Sequence, residues 1–273
     1  MKTMTALLFC CVSTTATAQT LRHSSAFPYL RLNAYSGRQD DVFAFTSNQA
    51  ALAKTKYAGI GIYGERRFML SQLGAYGLAA AFPTKLGNIG LQLNYEGFKD
   101  FNESRIGLAY ARSLGAKADI GIQFNYYGYR VPAYDHASFI NFEMGAIFHF
   151  TDRVHAGIHV YNPVKGRSGK NDGEKPASSY TAGLGYDDSD HFFAGAEVIK
   201  EEDKPVDVVA GFQYHFVSHF FVRMGVATAT SAYFAGAGIA WKELRLDIAV
   251  SHHPQLGFSP GLLVIMNLKR MEK

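Results

Sequence analysis

A serine, a histidine and an aspartate near the C-terminal end are the first residues whose types could do chemistry. Ser251 and His253 lie two positions apart, so they would share one face of an extended strand with Asp247 further along. A serine hydrolase needs a histidine that activates the serine and a third group that orients the histidine. No recognisable oxyanion arrangement accompanies these residues, and we therefore predict that the chain is not an enzyme.

A group of histidines could instead bind a metal ion. His155 and His159 would point the same way from one strand, with His149 on the preceding strand, and imidazole nitrogen is a common zinc ligand. Four residues of extended chain separate His155 and His159 by about 13 Å, which is too far for both to bind one ion. Both cysteines, Cys10 and Cys11, lie in an apparent export signal. We predict no metal site and no cofactor.

A glycine-rich basic stretch, residues 163–176, superficially resembles a phosphate-binding loop. It lacks the Gly-x-x-x-x-Gly-Lys-Ser/Thr spacing and does not connect a strand to a helix. We expect a solvated outer loop whose four basic residues could contact anionic lipopolysaccharide or a protein partner. The net charge of the whole chain is only +4, which does not argue for nucleic acid.

The elements that must position these residues follow from a period-two pattern between Lys56 and Lys269. Ile106, Leu108 and Tyr110, for example, alternate with glycine and alanine. Segments of about ten residues with an apolar and a small or polar side are typical of a transmembrane β-barrel. The pattern predicts strands at about 56–66, 70–82, 87–98, 103–113, 117–131, 138–150, 153–163, 178–187, 190–201, 205–217, 219–229, 232–241, 243–253 and 260–269.

The predicted connections sort by parity. Those after even-numbered strands are short, such as 84–86 and 151–152, whereas those after odd-numbered strands include the longer 132–137, 163–177 and 252–260. Short periplasmic turns and longer outer loops are expected of an outer-membrane barrel with an even number of strands. We therefore predict an all-β, antiparallel, up-and-down transmembrane barrel of about 14 strands whose first connection is extracellular.

The chain divides into three predicted parts. Residues 1–18 resemble a cleaved secretory signal, with Lys2 before a short apolar core and Ala16-Thr17-Ala18 as a small-residue cleavage site. Residues 19–55 are not strand-like and include an expected helical turn near 48–54, so they are predicted to fold back as a plug at a barrel mouth. Residues 56–273 form the barrel. The predicted location is the cell outer membrane, in contact with its lipid and lipopolysaccharide.

Polar residues of the alternation face the predicted lumen. They could line a narrow polar passage, or they could form a network that closes the lumen, because buried charges must be paired or hydrogen-bonded. The predicted lumenal network is Arg105, Gln123, Asn125, Asn141, Glu143, His155, Glu197, Asp207, Arg223, Arg245 and Asp247.

A short N-terminal motif carries a family resemblance. Its residues are Ala34-Tyr35, Asp40-Asp41 and Asn48-x-Ala50-Ala51-Leu52-Ala53. They resemble the N-terminal signature of the FadL-like outer-membrane proteins, which include transporters of hydrophobic compounds and the PorV/PorQ branch associated with type IX secretion. In these families an Asn-Pro-Ala-Gly/Ala-Leu element belongs to the plug of a fourteen-stranded barrel. The resemblance implies that role for Asn48, Ala50 and Leu52, with Asp40 and Asp41 near the plug.

Two departures from the family pattern shape the functional prediction. Gln49 stands where the family has proline, and no segment matches the apolar outer regions that capture ligand in the fatty-acid transporters. The resemblance therefore favours a PorV/PorQ-like accessory that docks secreted proteins or supports a secretion machine. The alternative is a FadL-like transporter or porin for a small hydrophobic molecule.

Overall fold

A computed structural model describes residues 28–38, 41–131, 134–164, 177–202, 204–217 and 219–268. The predicted signal at 1–18, Asp40 and most of the basic loop at 163–176 lie outside the described residues. Within these residues no helix has the length and apolar character needed to cross a membrane.

The described residues form a closed barrel of 14 antiparallel strands. Each strand pairs with its neighbours in sequence, and β14 pairs with β1 to close the sheet. The strands are β1 Gly59–Arg66, β2 Gly74–Pro83, β3 Asn88–Gly97, β4 Asn102–Ser113, β5 Ala118–Val131, β6 Tyr134–His149, β7 Val154–Tyr161, β8 Ser179–Asp187, β9 Phe192–Glu201, β10 Asp207–Val217, β11 Phe220–Ala227, β12 Ala232–Trp241, β13 Leu244–His253 and β14 Gly257–Asn267. The predicted fold class and strand count are confirmed.

Side-chain burial follows the predicted period of two. In β8 every second residue from Ser179 to Asp187 is buried, while Tyr180 and Leu184 between them are 54% and 53% exposed on the outer surface. The inward positions of the sheet carry mostly glycine, alanine and polar residues, and the outward positions are largely aliphatic or aromatic. Such an apolar outer surface on a closed sheet is what a bilayer requires.

The barrel has two unlike ends. The turn end carries the connections after even-numbered strands, which are two to four residues long, and the loop end carries the others, which reach 17 residues at 162–178. The predicted bounds of two outer loops are wrong. The loop predicted at 132–137 is shorter because β6 already begins at Tyr134, and the loop predicted at 252–260 covers only 254–256. In both cases pairing with the preceding strand, of Val131 with Tyr134 and of His253 with Gly257, extends the ladder beyond the predicted edge.

The N-terminal segment, residues 28–38 and 41–56, precedes the first strand. It begins with α1, Pro28–Leu32, and continues through 3-10 helices at Asn33–Tyr35, Ala44–Thr46 and Gln49–Lys54. The last of these is the helical turn expected at 48–54. The segment contacts the inner faces of strands on both sides of the barrel, so it lies inside the lumen.

Candidate functional site

Inward-facing glycines form the seat of the N-terminal segment. A Cβ atom added at Gly121 would overlap the backbone of Gln49, and one added at Gly145 would overlap the side chain of Asn48. Gly183 and Gly185 leave similar space, for the ring and the backbone of Tyr35. Glycine therefore recurs along the inner face because the segment approaches the wall more closely than a larger residue would permit.

Asn48 joins this segment to the wall. Its Oδ1 accepts a hydrogen bond of 3.1 Å from the amide of Ala50, which caps the 3-10 helix at its first turn. Its Nδ2 donates to the carbonyls of Ile158 at 3.1 Å and Ala146 at 3.4 Å, on two neighbouring strands. The side chain is fully buried. One amide group thus ends a helix and fixes its position against β6 and β7.

Substitution of Asn48 by alanine is expected to lower the free energy of unfolding by about 1–2 kcal/mol, because a helix cap and buried hydrogen bonds are lost together. The change should be measured by urea titration of the refolded protein. The control is Asn102→Ala, since the Asn102 amide bonds only exposed carbonyls at the loop end. Equal losses for the two variants would show that Asn48 does not anchor the segment.

The other predicted plug residues have distinct places. Asp41 accepts from Asn33 Nδ2 at 3.2 Å and pairs with Arg245 Nη1 at 3.0 Å, which links two parts of the segment to β13. Ala50 and Leu52 are buried in the lumen. Gln49 is buried as well, and its amide atoms have no hydrogen-bond partner within the described part of the chain. The helix forms without the family's proline because Asn48 caps it.

A dense polar cluster fills the lumen beside β3–β7. Arg105 donates to Glu143 Oε1 at 2.8 Å, Gln92 Oε1 at 2.9 Å and Asn125 Oδ1 at 3.0 Å. Each of these side chains is at most 6% exposed. Further members of the cluster are Gln123 and Asn141, which bond Asn125, and His159, which bonds Glu143. These contacts join the polar side chains of β3–β7 into one hydrogen-bonded cluster.

A second cluster contains the remaining predicted arginines. Asp247 accepts from Arg223 Nη1 at 2.8 Å and from Arg245 Nη2 at 2.6 Å. Both guanidinium groups lie over the ring of Phe221, at 4.5 and 5.1 Å from its centroid. Gly238 on the intervening strand β12 leaves room for the ring of Phe221 and the carboxylate of Asp247.

Three predicted network residues lie apart from these clusters. Glu197 pairs with Arg31 Nε at 2.6 Å, so it holds α1 against β9. Asp207 sits at the loop end, where its Oδ1 accepts from the amide of Ala229 at 2.8 Å and from Thr228 Oγ1 at 3.3 Å. His155 lies at the turn end beside His149 and Asp187. Sequence reasoning missed Arg31 and named Tyr35 only as part of the N-terminal motif.

The residues considered for chemistry are not assembled for it. Asp247 is engaged by two arginines, while His253 Nδ1 accepts from the amides of Gln255 and Leu256. His159 bonds Glu143 in the polar cluster, away from the cross-strand neighbours His149 and His155. Among the described residues no group of three or more metal-binding side chains could hold an ion.

The first connection folds over the loop end. Arg67 donates both Nη atoms to Glu96, at 2.9 and 3.0 Å, and Nε to Glu65 at 2.7 Å. Burial opposes its charge, but Glu96 and Glu65 outweigh that effect and raise the pKa of Arg67 above its ordinary value. Phe68 and Met69 adopt positive φ angles of 53° and 61°, a conformation that costs energy for such residues. Arg67 thus fixes a strained connection.

This connection also exposes apolar surface. Met69, Leu70 and Leu73 are 60%, 51% and 40% exposed, and Phe101 in the next loop-end connection is 44% exposed. This apolar surface is not evident in the sequence, because its residues are few and come from two separate connections. The fold places them on the rim of the barrel, next to β1–β4.

Apolar side chains line part of the lumen wall opposite the polar cluster of β3–β7. Strands β9–β14 contribute Phe193, Ile199, Val209, Ala227, Phe234, Ala249, Leu263 and Ile265 to one buried cluster. The N-terminal segment contributes Leu30, Leu32, Val42, Phe43, Phe45 and Leu52 to the same cluster. The same strands also carry the buried polar residues Glu197, Arg223 and Asp247, so the segment contacts both apolar and charged side chains on this side.

Two cavities lie at the turn end, on either side of residues 36–38. The first, of about 290 Å³, is lined by Ser36, Asp119, His149 and His155 among others. The second, of about 350 Å³, is lined by polar and aromatic residues that include Gln213, His215, Phe221 and Arg245. Arg38 borders both cavities. The N-terminal segment thus separates two spaces at one barrel mouth.

The chain is a closed fourteen-stranded antiparallel barrel whose lumen is occupied by its N-terminal segment. No family model matches the chain, and no curated protein matches its sequence. The solved structures give clear matches of fold. The Ralstonia pickettii toluene transporter TbuX has a TM-score of 0.60 at 10% identity, over 90% of this chain and 98% of that one.

Other solved structures agree with this fold. The Pseudomonas putida toluene transporter TodX has a TM-score of 0.60 at 10% identity, over 88% of this chain and 98% of that one. A Pseudomonas aeruginosa FadL homologue has a TM-score of 0.52 at 13% identity, over 85% and 95% of the two chains. At these identities the likeness establishes the fold alone.

Proposed function

We propose that this chain is an outer-membrane channel for small apolar molecules, of the size of a monoaromatic hydrocarbon. The observation that carries the proposal is the cluster of apolar side chains on the inner face of β9–β14. A channel for polar solutes has a polar interior, whereas this cluster would offer an apolar solute favourable contact once the N-terminal segment moved. The exposed apolar residues near the loop end provide a surface on which such a solute could first adsorb.

The similar structures support this function by analogy. Two of these proteins are toluene transporters, and a third is a monoaromatic hydrocarbon channel with a TM-score of 0.58. We further propose that a signal at residues 1–18 directs export and is removed. The PorV/PorQ-like docking role expected from the sequence gains no support from these comparisons, so the transport alternative replaces it as our proposal.

Uptake of labelled toluene into Gram-negative cells is expected to rise severalfold when the chain is expressed, while uptake of a sugar of similar size should not. Phe234→Gln should remove most of the increase, because it puts an unpartnered amide into the apolar cluster. The control is Phe212→Gln, which changes an outward ring on β10 that is 41% exposed. Folding of both variants is checked by heat-dependent gel mobility.

The outcomes separate the two functions. Equal uptake of toluene and sugar would indicate a general porin and contradict the proposal. No uptake of either solute, together with secretion components bound to the purified protein, would favour the docking role.

A further inference from the structure

A row of two carboxylates and two histidines crosses the lumen wall at the turn end. Asp119, His149, His155 and Asp187 come from the successive strands β5, β6, β7 and β8. His149 Nε2 lies 2.7 Å from Asp119 Oδ2, and the Nδ1 atoms of the two histidines lie 2.7 Å apart. His155 Nε2 lies 3.3 Å from Asp187 Oδ2. The four side chains are 12% exposed or less.

This geometry limits the number of protons on the two imidazole rings. His149 Nε2 is hydrogen-bonded to Asp119, which favours a proton there, whereas His155 Nε2 lies 3.3 Å from Asp187 without hydrogen-bond geometry. At 2.7 Å only one further proton fits between the two Nδ1 atoms. With a proton on His155 Nε2 as well, the pair carries three ring protons and one positive charge. A fourth proton would set two N–H groups face to face, so the rings would have to separate.

The row ends on the N-terminal segment. Asp187 accepts from Ser36 Oγ at 2.7 Å and from the amide of Gly37 at 2.8 Å. Gly37 also lies directly on the ring of His155, since a Cβ atom added there would be 2.5 Å from Nε2. His155 therefore cannot shift without disturbing residues 36 and 37, which separate the two turn-end cavities together with Arg38.

Other charged groups face the same cavity. They are Arg38, Asp41, Lys54 and Lys56 from the N-terminal segment and Asp152 from the β6–β7 turn. Ordinary carboxyl groups exchange their proton at lower pH than an ordinary imidazole, and ordinary amino and guanidinium groups at higher pH. The three cations oppose a second positive charge on the histidine pair, whereas Asp41 and Asp152 favour it.

We propose that this row is a proton-operated latch that regulates the turn end of the channel. A second protonation of the His149–His155 pair releases residues 33–38 and joins the two cavities. The regulatory role rests on the proposed channel function, whereas the release itself does not. The released segment binds one more proton than the seated one, so acid favours release. By linkage the ratio of released to seated segment rises by at most about tenfold for each unit by which the pH falls.

A nitroxide spin label at position 38 measures release directly. The label is attached to Arg38→Cys in the full chain with Cys10→Ser and Cys11→Ser, because the sequence has no other cysteines. Its electron paramagnetic resonance spectrum in lipid vesicles is expected to show an immobile label at about pH 7.5 and a reversible mobile component at about pH 5, on either side of the ordinary histidine range. The lost Arg38–Asp190 pair is exposed and contributes little.

Variants test whether the pair is the cause. His149→Gln with His155→Gln should abolish the pH response, and His149→Gln alone serves if the double variant does not fold. His215→Gln, at a histidine that lines only the other cavity, should leave the response intact. An unchanged spectrum between the two pH values, or a full response in the glutamine variants, would overturn the latch.

Toluene uptake at the two pH values separates this inference from the channel proposal. Greater uptake at the lower pH, lost in the His149→Gln variant, supports regulation. A mobile label with pH-independent uptake overturns the regulatory role, and a mobile label without any uptake refutes the channel while leaving the release established.

Discussion

Replacing Glu143 with leucine is expected to lower the free energy of unfolding by about 3–5 kcal/mol, because the buried Arg105 guanidinium loses its anionic partner. Arg105 and Glu143 are 3% and 1% exposed and are joined at 2.8 Å, so water cannot take the place of the carboxylate. Urea titration of the refolded barrel in lipid measures the loss.

A variant with both members of the ion pair replaced distinguishes the loss of a charged partner from simple overpacking by leucine. With Arg105→Met added to Glu143→Leu, most of the loss should be recovered, since an apolar replacement of a whole buried pair is often close to neutral. Glu201→Leu serves as the control, because Glu201 pairs with Lys204 near the surface and should cost at most about 1 kcal/mol. If the loss of unfolding free energy in the double variant equalled the sum of the two single losses, Arg105 and Glu143 would not be energetically coupled.

Placing arginine on the outer surface of the barrel is the second large expected effect. Leu108→Arg, in the middle of β4, should cost about 2–4 kcal/mol because the charge would lie in the apolar part of the bilayer. Leu108 is 57% exposed.

Leu114→Arg provides a matched control. Leu114 is 54% exposed but lies in the β4–β5 turn, so the same substitution should cost only about 0–1 kcal/mol. The free energy of unfolding in lipid vesicles measures both effects. Equal costs would mean that β4 does not cross the bilayer with Leu108 at its centre.

The strands were predictable because their signal is local. In β4 the alternation of Ile106, Leu108 and Tyr110 with glycine and alanine reports which side chains face outward, whatever their partners are. The outer edges of β6 and β14 were less predictable. These strands begin at Tyr134 and Gly257, before the predicted positions, because pairing with the preceding strand extends the ladder at each edge.

The candidate site was only partly predictable. The inward phase identified Arg105, Glu143 and Asp247 as lumenal residues, because phase depends only on position along a strand. Their partners could not be derived, since Arg105 meets Glu143 across β4, β5 and β6. The role of Asp187 was missed altogether, because its contacts with Ser36 and Gly37 span about 150 residues of sequence.

The sequence by itself determined a closed sheet of 14 strands, its inner and outer faces and the helical turn after Asn48. These properties follow from a two-residue period and from a cap, which act over a few neighbouring residues. Only the tertiary structure decided how the N-terminal segment is seated against the inner glycines, where the apolar and polar clusters lie along the wall, and that the His149–His155 pair meets Gly37. Closing the barrel brings all inward side chains around one axis, and which of them meet depends on the curvature and register of the whole sheet.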